Sequence, residues 1–223
     1  MNSIVSANIA AQLIALFAVL MLVVQLLLAV QRMLLASIRL FAIQSLLLAI
    51  IAAVIAFFYG TFHVYVVALL TIVGKVVFLP WLLDRQVRRM SIVQEIEPLI
   101  NFPASILVCG ILTLIGYVVA RPYSSLDRLG NNTLAVAITL VLTGFFLMIN
   151  RRTALTQVLA LLTVENGIML AAIALTTYGM PLVVEIGIFF DVMVAVMILG
   201  ILVYRIRETF ASMDTRKLSQ LKE

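Results

Sequence analysis

The chain carries a series of apolar runs, near residues 4–30, 38–58, 62–83, 100–120, 131–149, 154–177 and 182–204, each long enough to cross a bilayer. A spanning helix needs about 20 such residues, because each rises about 1.5 Å through a hydrocarbon core about 30 Å thick. The runs are continuous, whereas the strands of a membrane barrel would alternate polar and apolar residues. Only 11% of the residues are charged, against about 25% in a soluble domain. The expectation is an all-α, polytopic membrane protein with about seven transmembrane helices, forming one integral membrane domain over residues 1–223. Its parts are helices one to three over 4–83, a surface segment and the fourth helix over 84–130, helices five to seven over 131–204, and a polar tail over 205–223.

The first run is too long for a secretory signal and has no Lys or Arg ahead of it. Prolines punctuate the spans. Pro98 and Pro103 precede or open the fourth, Pro122 closes it and Pro181 opens the seventh. Only Pro80 sits within a run.

Basic residues are strongly biased to one side. The turns after the first, third and fifth spans hold Arg32, Arg39, Arg85, Arg88, Arg89, Arg151 and Arg152, and the tail adds Arg205, Arg207, Arg216, Lys217 and Lys222. The opposite side has Arg121 and Arg128. The positive-inside rule makes the arginine-rich side cytoplasmic and puts the N-terminus outside. The net charge of +5 is largely this bias, so it argues for topology and against nucleic-acid binding.

Three charges remain near the middle of spans: Lys75 in the third, Glu165 in the sixth and Asp191 in the seventh. Each costs about 2.5–3.5 kcal/mol on insertion scales. Together they cost about 8–10 kcal/mol, comparable with the stability of an ordinary domain. Intramembrane ionisable residues mark proton or ion paths; they also lock helices together as ion pairs. The surroundings favour a polar site. Pro80 cannot donate to the carbonyl of Val76, which frees an acceptor one residue from Lys75. Thr71 lies one turn earlier, Asn166 and Gly167 follow Glu165, and Gln157 lies two turns before it. Gly187, Asp191 and Ala195 form a row at spacing four, where small residues admit a neighbouring backbone. Glu185, at the outer start of the seventh span, suits a helix N-terminus and equally suits an exit group. His63 reads as an interfacial residue.

One cysteine, Cys109, and one histidine exclude an iron–sulfur cluster or a bis-histidine haem held by this chain alone. No cofactor, metal site or catalytic centre of its own is expected. Helices one to three and five to seven resemble each other in outline: "RLFAIQSLLLAIIAAVIAFFYG" is similar to "LALLTVENGIMLAAIALTTYG", with Gln44 opposite Glu165, as in parallel repeats. Between the third and fourth spans, "RRMSIVQEIEPLI" places Ile92, Val93, Ile96, Leu99 and Ile100 opposite Glu95 and Glu97. That pattern predicts a short amphipathic helix on the membrane surface or a docking site for a cytoplasmic partner.

The motifs "GKVVFLPWLL", "TVENGIML" and "VVEIGIFFDVMVAVMILGILVYRIRE" together resemble the E subunit of hydrogenase-4 and formate hydrogenlyase-type complexes. The last three spans also resemble the K subunit of respiratory complex I and the C subunit of multi-subunit sodium/proton antiporters. The K subunit has membrane glutamates in its second and third helices. Glu165 matches the first by motif. Asp191 falls near the second but is an aspartate here. Lys75 belongs to the part that only the E subunits carry. The resemblance implies a membrane-arm subunit of an energy-converting nickel–iron hydrogenase, seated in the lipid bilayer between antiporter-like subunits and the membrane anchor of a cytoplasmic hydrogenase module. Lys75, Glu165, Asp191 and Glu185 would then belong to a proton or sodium path coupled to redox chemistry on other chains. The alternatives are a stand-alone secondary transporter and a purely structural scaffold.

The charge bias makes a direct prediction. A reporter active only in the cytoplasm should give signal when fused to the C-terminus and none when fused to the N-terminus. A cytoplasmic signal from the N-terminal fusion would overturn the orientation.

Overall fold

The computed structural model describes residues 2–60, 62–90, 99–125, 127, 132–175, 187 and 194. Helix α1 spans Asn2–Val30 and α2 spans Leu34–Tyr59. The third span is composite: α3 (Phe62–Thr71), a π-helical segment (Ile72–Phe78) and α4 (Leu79–Met90). Helix α5 is Phe102–Ala120, α6 is Thr133–Asn150 and α7 is Ala154–Leu175. No strand occurs among the described residues, and six spans are long and apolar enough to cross a membrane. The seventh expected span, with Asp191 and Glu185, lies outside the described residues apart from Gly187 and Val194, and so does most of the expected amphipathic segment.

Local chemistry sets the helix ends. Gly60 ends α2 in the left-handed conformation, φ +66°, and its N–H reaches back to Ala56 O. That backbone suits glycine because it has no Cβ to clash. Helix α2 starts four residues earlier than the apolar run indicates, since Met33 O accepts both Ser37 N and Ser37 Oγ. Pro103 stands in the first turn of α5, where a missing N–H costs nothing. Pro122 follows α5 in a short 3-10 turn.

The spans run antiparallel in succession and bury two apolar layers. One, on the N-terminal side, joins Ile14 and Met21 of α1, Leu48 and Ile55 of α2, Val64 and Ala68 of α3, Leu134 and Leu140 of α6, and Met169 and Ile173 of α7. The other, on the arginine-rich side, joins Leu28, Ile38, Phe41, Leu79, Leu83, Cys109, Leu147, Leu155 and Leu162. Between them α1, α2, α3, the π segment, α6 and α7 place buried polar side chains: Gln25, Gln44, Ser45, Thr71, Lys75, Thr143, Thr163, Glu165 and Asn166. The domain is therefore a sandwich of hydrocarbon around one polar stratum.

Close helix contacts hold this stratum in register. A Cβ on Gly167 would lie 2.9 Å from the backbone N of Val141, and one on Gly144 would lie 2.6 Å from Val164 Cγ2 and 3.1 Å from Val164 N. Helices α6 and α7 thus approach backbone to backbone, as small residues allow in membranes. On the arginine-rich side, Arg151 is buried and its Nη2 donates to Leu28 O at 2.8 Å, Gln31 O at 3.0 Å and Ala29 O at 3.3 Å. It satisfies carbonyls that the end of α1 leaves without intrahelical donors. Asn150 accepts Ile100 N on its Oδ1 at 2.8 Å and donates from Nδ2 to Ser105 Oγ at 3.2 Å. Arg88 bonds Asp84 at 2.7 Å on the exposed surface, and that carboxylate raises the guanidinium pKa above its ordinary value.

Gly167→Ala should destabilise the protein by about 1–3 kcal/mol, the range for overpacking, because a backbone atom stands in the way. Gly110→Ala should be neutral or slightly stabilising, since nothing lies within 4 Å of its added Cβ. Thermal unfolding in detergent compares the two; equal midpoints would contradict the close approach.

Candidate functional site

The site follows from where the third span loses its regular helix. Pro80 has no N–H for the ladder, and its ring clashes with the carbonyl four residues back in a regular α-helix. The structure meets this with a wider turn rather than a break. Leu79 N–H bonds Gly74 O, five residues back, and the π segment covers Ile72–Phe78 with Lys75 at its centre. Such segments are rare and recur at functional sites. The sequence expectation of a disturbed ladder beside Lys75 is met, but as a seven-residue π segment and not as one open carbonyl.

Lys75 is only 2% exposed and Glu165 5%. Lys75 Nζ lies 2.7 Å from Glu165 Oε1, so the third and sixth spans are joined by an ion pair. Each residue stands near the middle of its span, Val64–Arg85 and Ala154–Leu175. In hydrocarbon such a pair is screened far less than at a surface.

The ammonium has a second partner. Lys75 Nζ donates to Asn166 Oδ1 at 3.4 Å. Asn166 Nδ2 donates to Ser45 Oγ at 3.1 Å and to Gln44 Oε1 at 3.3 Å. Gln44 Nε2 in turn donates to Gln25 Oε1 at 2.9 Å. One polar path thus crosses from α7 and the π segment through α2 to α1. Gln25, Gln44, Ser45 and Asn166 are all fully buried.

Of the residues singled out from sequence, Lys75 and Glu165 are brought together, with Asn166 beside them. Thr71 is buried on the same span but bonds back to Val67 O at 2.9 Å. Gln157 is not part of the site; its amide donates to Arg151 O at the start of α7. Asp191 and Glu185 lie outside the described residues. Gly187 does reach the site: a Cβ there would stand 3.4 Å from Met169 Sδ and 3.8 Å from Glu165 Oε1. Sequence reasoning missed Gln25 and Ser45. For Gln25 the signal was a lone polar residue in an apolar run, and for Ser45 its place next to Gln44. His, Cys, Asp and Glu form no metal-binding group among the described residues.

The fold and site define a class: an integral membrane protein of many spans, with a charge pair and an amide network buried at mid-membrane. The comparisons with known proteins narrow it. Hydrogenase-4 component E of Escherichia coli is 29% identical over 185 residues, covering 82% of this chain and 84% of that protein. The protein of the same name in Shigella flexneri aligns to the same extent. An uncharacterized protein of Mycobacterium tuberculosis is 36% identical over 151 residues, 67% of this chain and 68% of that protein. The chain is thus a homologue of hydrogenase-4 component E over about four fifths of its length. No family model and no solved structure matches it.

The pair should show itself energetically. Lys75→Met and Glu165→Leu should each lower thermal stability, and the double variant should lose less than the sum, with a coupling of about 0.5–3 kcal/mol. Additive losses would mean that the two side chains do not interact.

Proposed function

We propose that the protein is a membrane-arm subunit of a hydrogenase-4-type nickel–iron complex, and that its buried charges take part in proton or sodium translocation driven by redox chemistry on other subunits. The observation that carries this is the Lys75–Glu165 ion pair at mid-membrane. A bilayer-buried pair with both members near the centre of their spans is costly to keep. Replacing such a pair with packed apolar residues is often neutral or stabilising, so packing alone gives little reason for it. The relationship to hydrogenase-4 component E supports a place in a multi-subunit complex. Antiporter-like and membrane-anchor subunits are the proposed neighbours, and the large exposed apolar side chains of α5, Leu107, Leu114 and Val118, give them a surface to meet.

In this reading the pair works as a charge switch. While both members are charged they hold the third and sixth spans together. When a proton arrives at Glu165 or leaves Lys75, the attraction is lost, and the field at the next ionisable group changes. Asp191 is the proposed next group, since Gly187 lies beside Glu165 and Asp191 follows it by four positions in the sequence. Glu185 is the proposed exit group. In this reading the redox centres lie on other subunits, and the chain supplies charges whose state depends on the ion that passes. Its proposed orientation keeps the N-terminus outside and the tail in the cytoplasm of a prokaryotic cell.

Lys75→Met and Glu165→Gln, made in the assembled complex, separate the relay from a mere clamp. The relay reading expects both variants to assemble while ion translocation and coupled turnover fall about 10²-fold or more, the scale of a positioned proton-transfer group. Asp191→Asn should behave alike. Assembled variants with native translocation would overturn the reading, and loss of assembly with native turnover per remaining complex would assign the pair to the clamp.

A further inference from the structure

The amides around Lys75 are ordered as well as buried. Ser45 and Gln44 both take up the Nδ2 of Asn166, which leaves its Oδ1 facing the ammonium. Gln44 spends its Nε2 on Gln25 Oε1, which leaves its own Oε1 facing Asn166. Each side-chain amide has one acceptor end and one donor end. Three amides in succession therefore stand head to tail, every carbonyl oxygen towards Lys75 and every NH₂ away from it. The series ends on Gln25 Nε2, a buried donor with no hydrogen-bond partner among the described residues.

We propose that Gln25, Gln44 and Asn166 are positioning residues, an aligned amide chain that holds the Lys75 ammonium against Glu165 and sets the pH at which the pair changes charge. The reason is electrostatic. Dipoles aligned in a medium of low dielectric reinforce one another. Here their negative ends converge on the ammonium and hold it in place beside Glu165. The π segment contributes by aiming Lys75 at both Glu165 and Asn166. Truncating the chain at any link weakens its effect on Lys75, even where the altered residue touches neither Lys75 nor Glu165. Gln25 is the clearest case, two hydrogen bonds removed from Asn166 and on a different helix from both charges.

This inference rests on the Lys75–Glu165 pair being the functional pair, and its test reads the pair directly rather than through turnover. In the purified complex, the infrared carboxyl band of Glu165, assigned by difference against Glu165→Gln, is titrated with pH in the native protein and in Asn166→Leu, Gln44→Met and Gln25→Met. The expected result is a shift of the midpoint of the same sign in all three, about one pH unit for Asn166→Leu, the worth of a hydrogen bond to a charged group, and smaller at each further link. Should Asn166→Leu fail to accumulate, Gln44→Met and Gln25→Met still decide. Native midpoints in both would overturn the proposal, as would failure of all three to accumulate, which assigns the amides to folding. Shifted midpoints combined with native translocation in Lys75→Met would keep the positioning role and discard the relay.

Discussion

A charge in hydrocarbon must find a partner within the protein, because no water is there to solvate it. Here Lys75 meets Glu165 at 2.7 Å, and much of the surrounding structure serves that contact. The ammonium sits at the centre of a π segment that a regular α-helix would not provide. Asn166, next in sequence to Glu165, turns its carbonyl oxygen to the same ammonium. The two partners are thus prepared from both sides before they meet. Breaking a buried pair by removing one member costs about 3–5 kcal/mol, so the third and sixth spans are bound to each other for as long as both charges persist.

The rest of the domain keeps the polar stratum narrow and closed. Two apolar layers lie on either side of it, and each consists of side chains from several spans. Gly144 and Gly167 let α6 and α7 approach so closely that the register of Glu165 and Asn166 is set by backbone contact. At the arginine-rich end, Arg151 gathers the last carbonyls of α1 and so anchors the helix that brings Gln25 to the amide chain. Energy in this fold is local and directional at mid-membrane and diffuse elsewhere. A switch needs that division: a rigid frame around a few groups whose charge can change.

Much of this was legible in the amino-acid order. Six spans occur within a few residues of the apolar runs, and the lone charges at 75 and 165 identified themselves by their cost. What could not be read was rotation. Gln25, Gln44 and Ser45 lie in runs apolar on every side, so the pattern gives no face on which to place them, and only the packed structure shows that they converge. The π segment was half legible. Pro80 announced a disturbed ladder, but the choice between a kink and a widened turn depends on which neighbours Lys75 can reach. Arg151 was read as one more charge of the positive-inside bias; its capping of α1 comes from tertiary packing across more than a hundred residues of chain, which no local pattern encodes. Gln157 misled for the opposite reason, since helical spacing put it on the face of Glu165 while a nearer acceptor at Arg151 took its amide.

The central claim, that a Lys75–Glu165 ion pair organises the domain, is tested most directly by exchanging the two charges. Lys75→Glu alone and Glu165→Lys alone each set two like charges against each other in hydrocarbon, and the amount of protein assembled in the membrane should collapse in both. Lys75→Glu and Glu165→Lys combined restore one charge of each sign, and the account predicts that assembly recovers well above either single change. An exchanged protein that assembles no better than the single variants, or single variants that assemble as the native protein does, would contradict it.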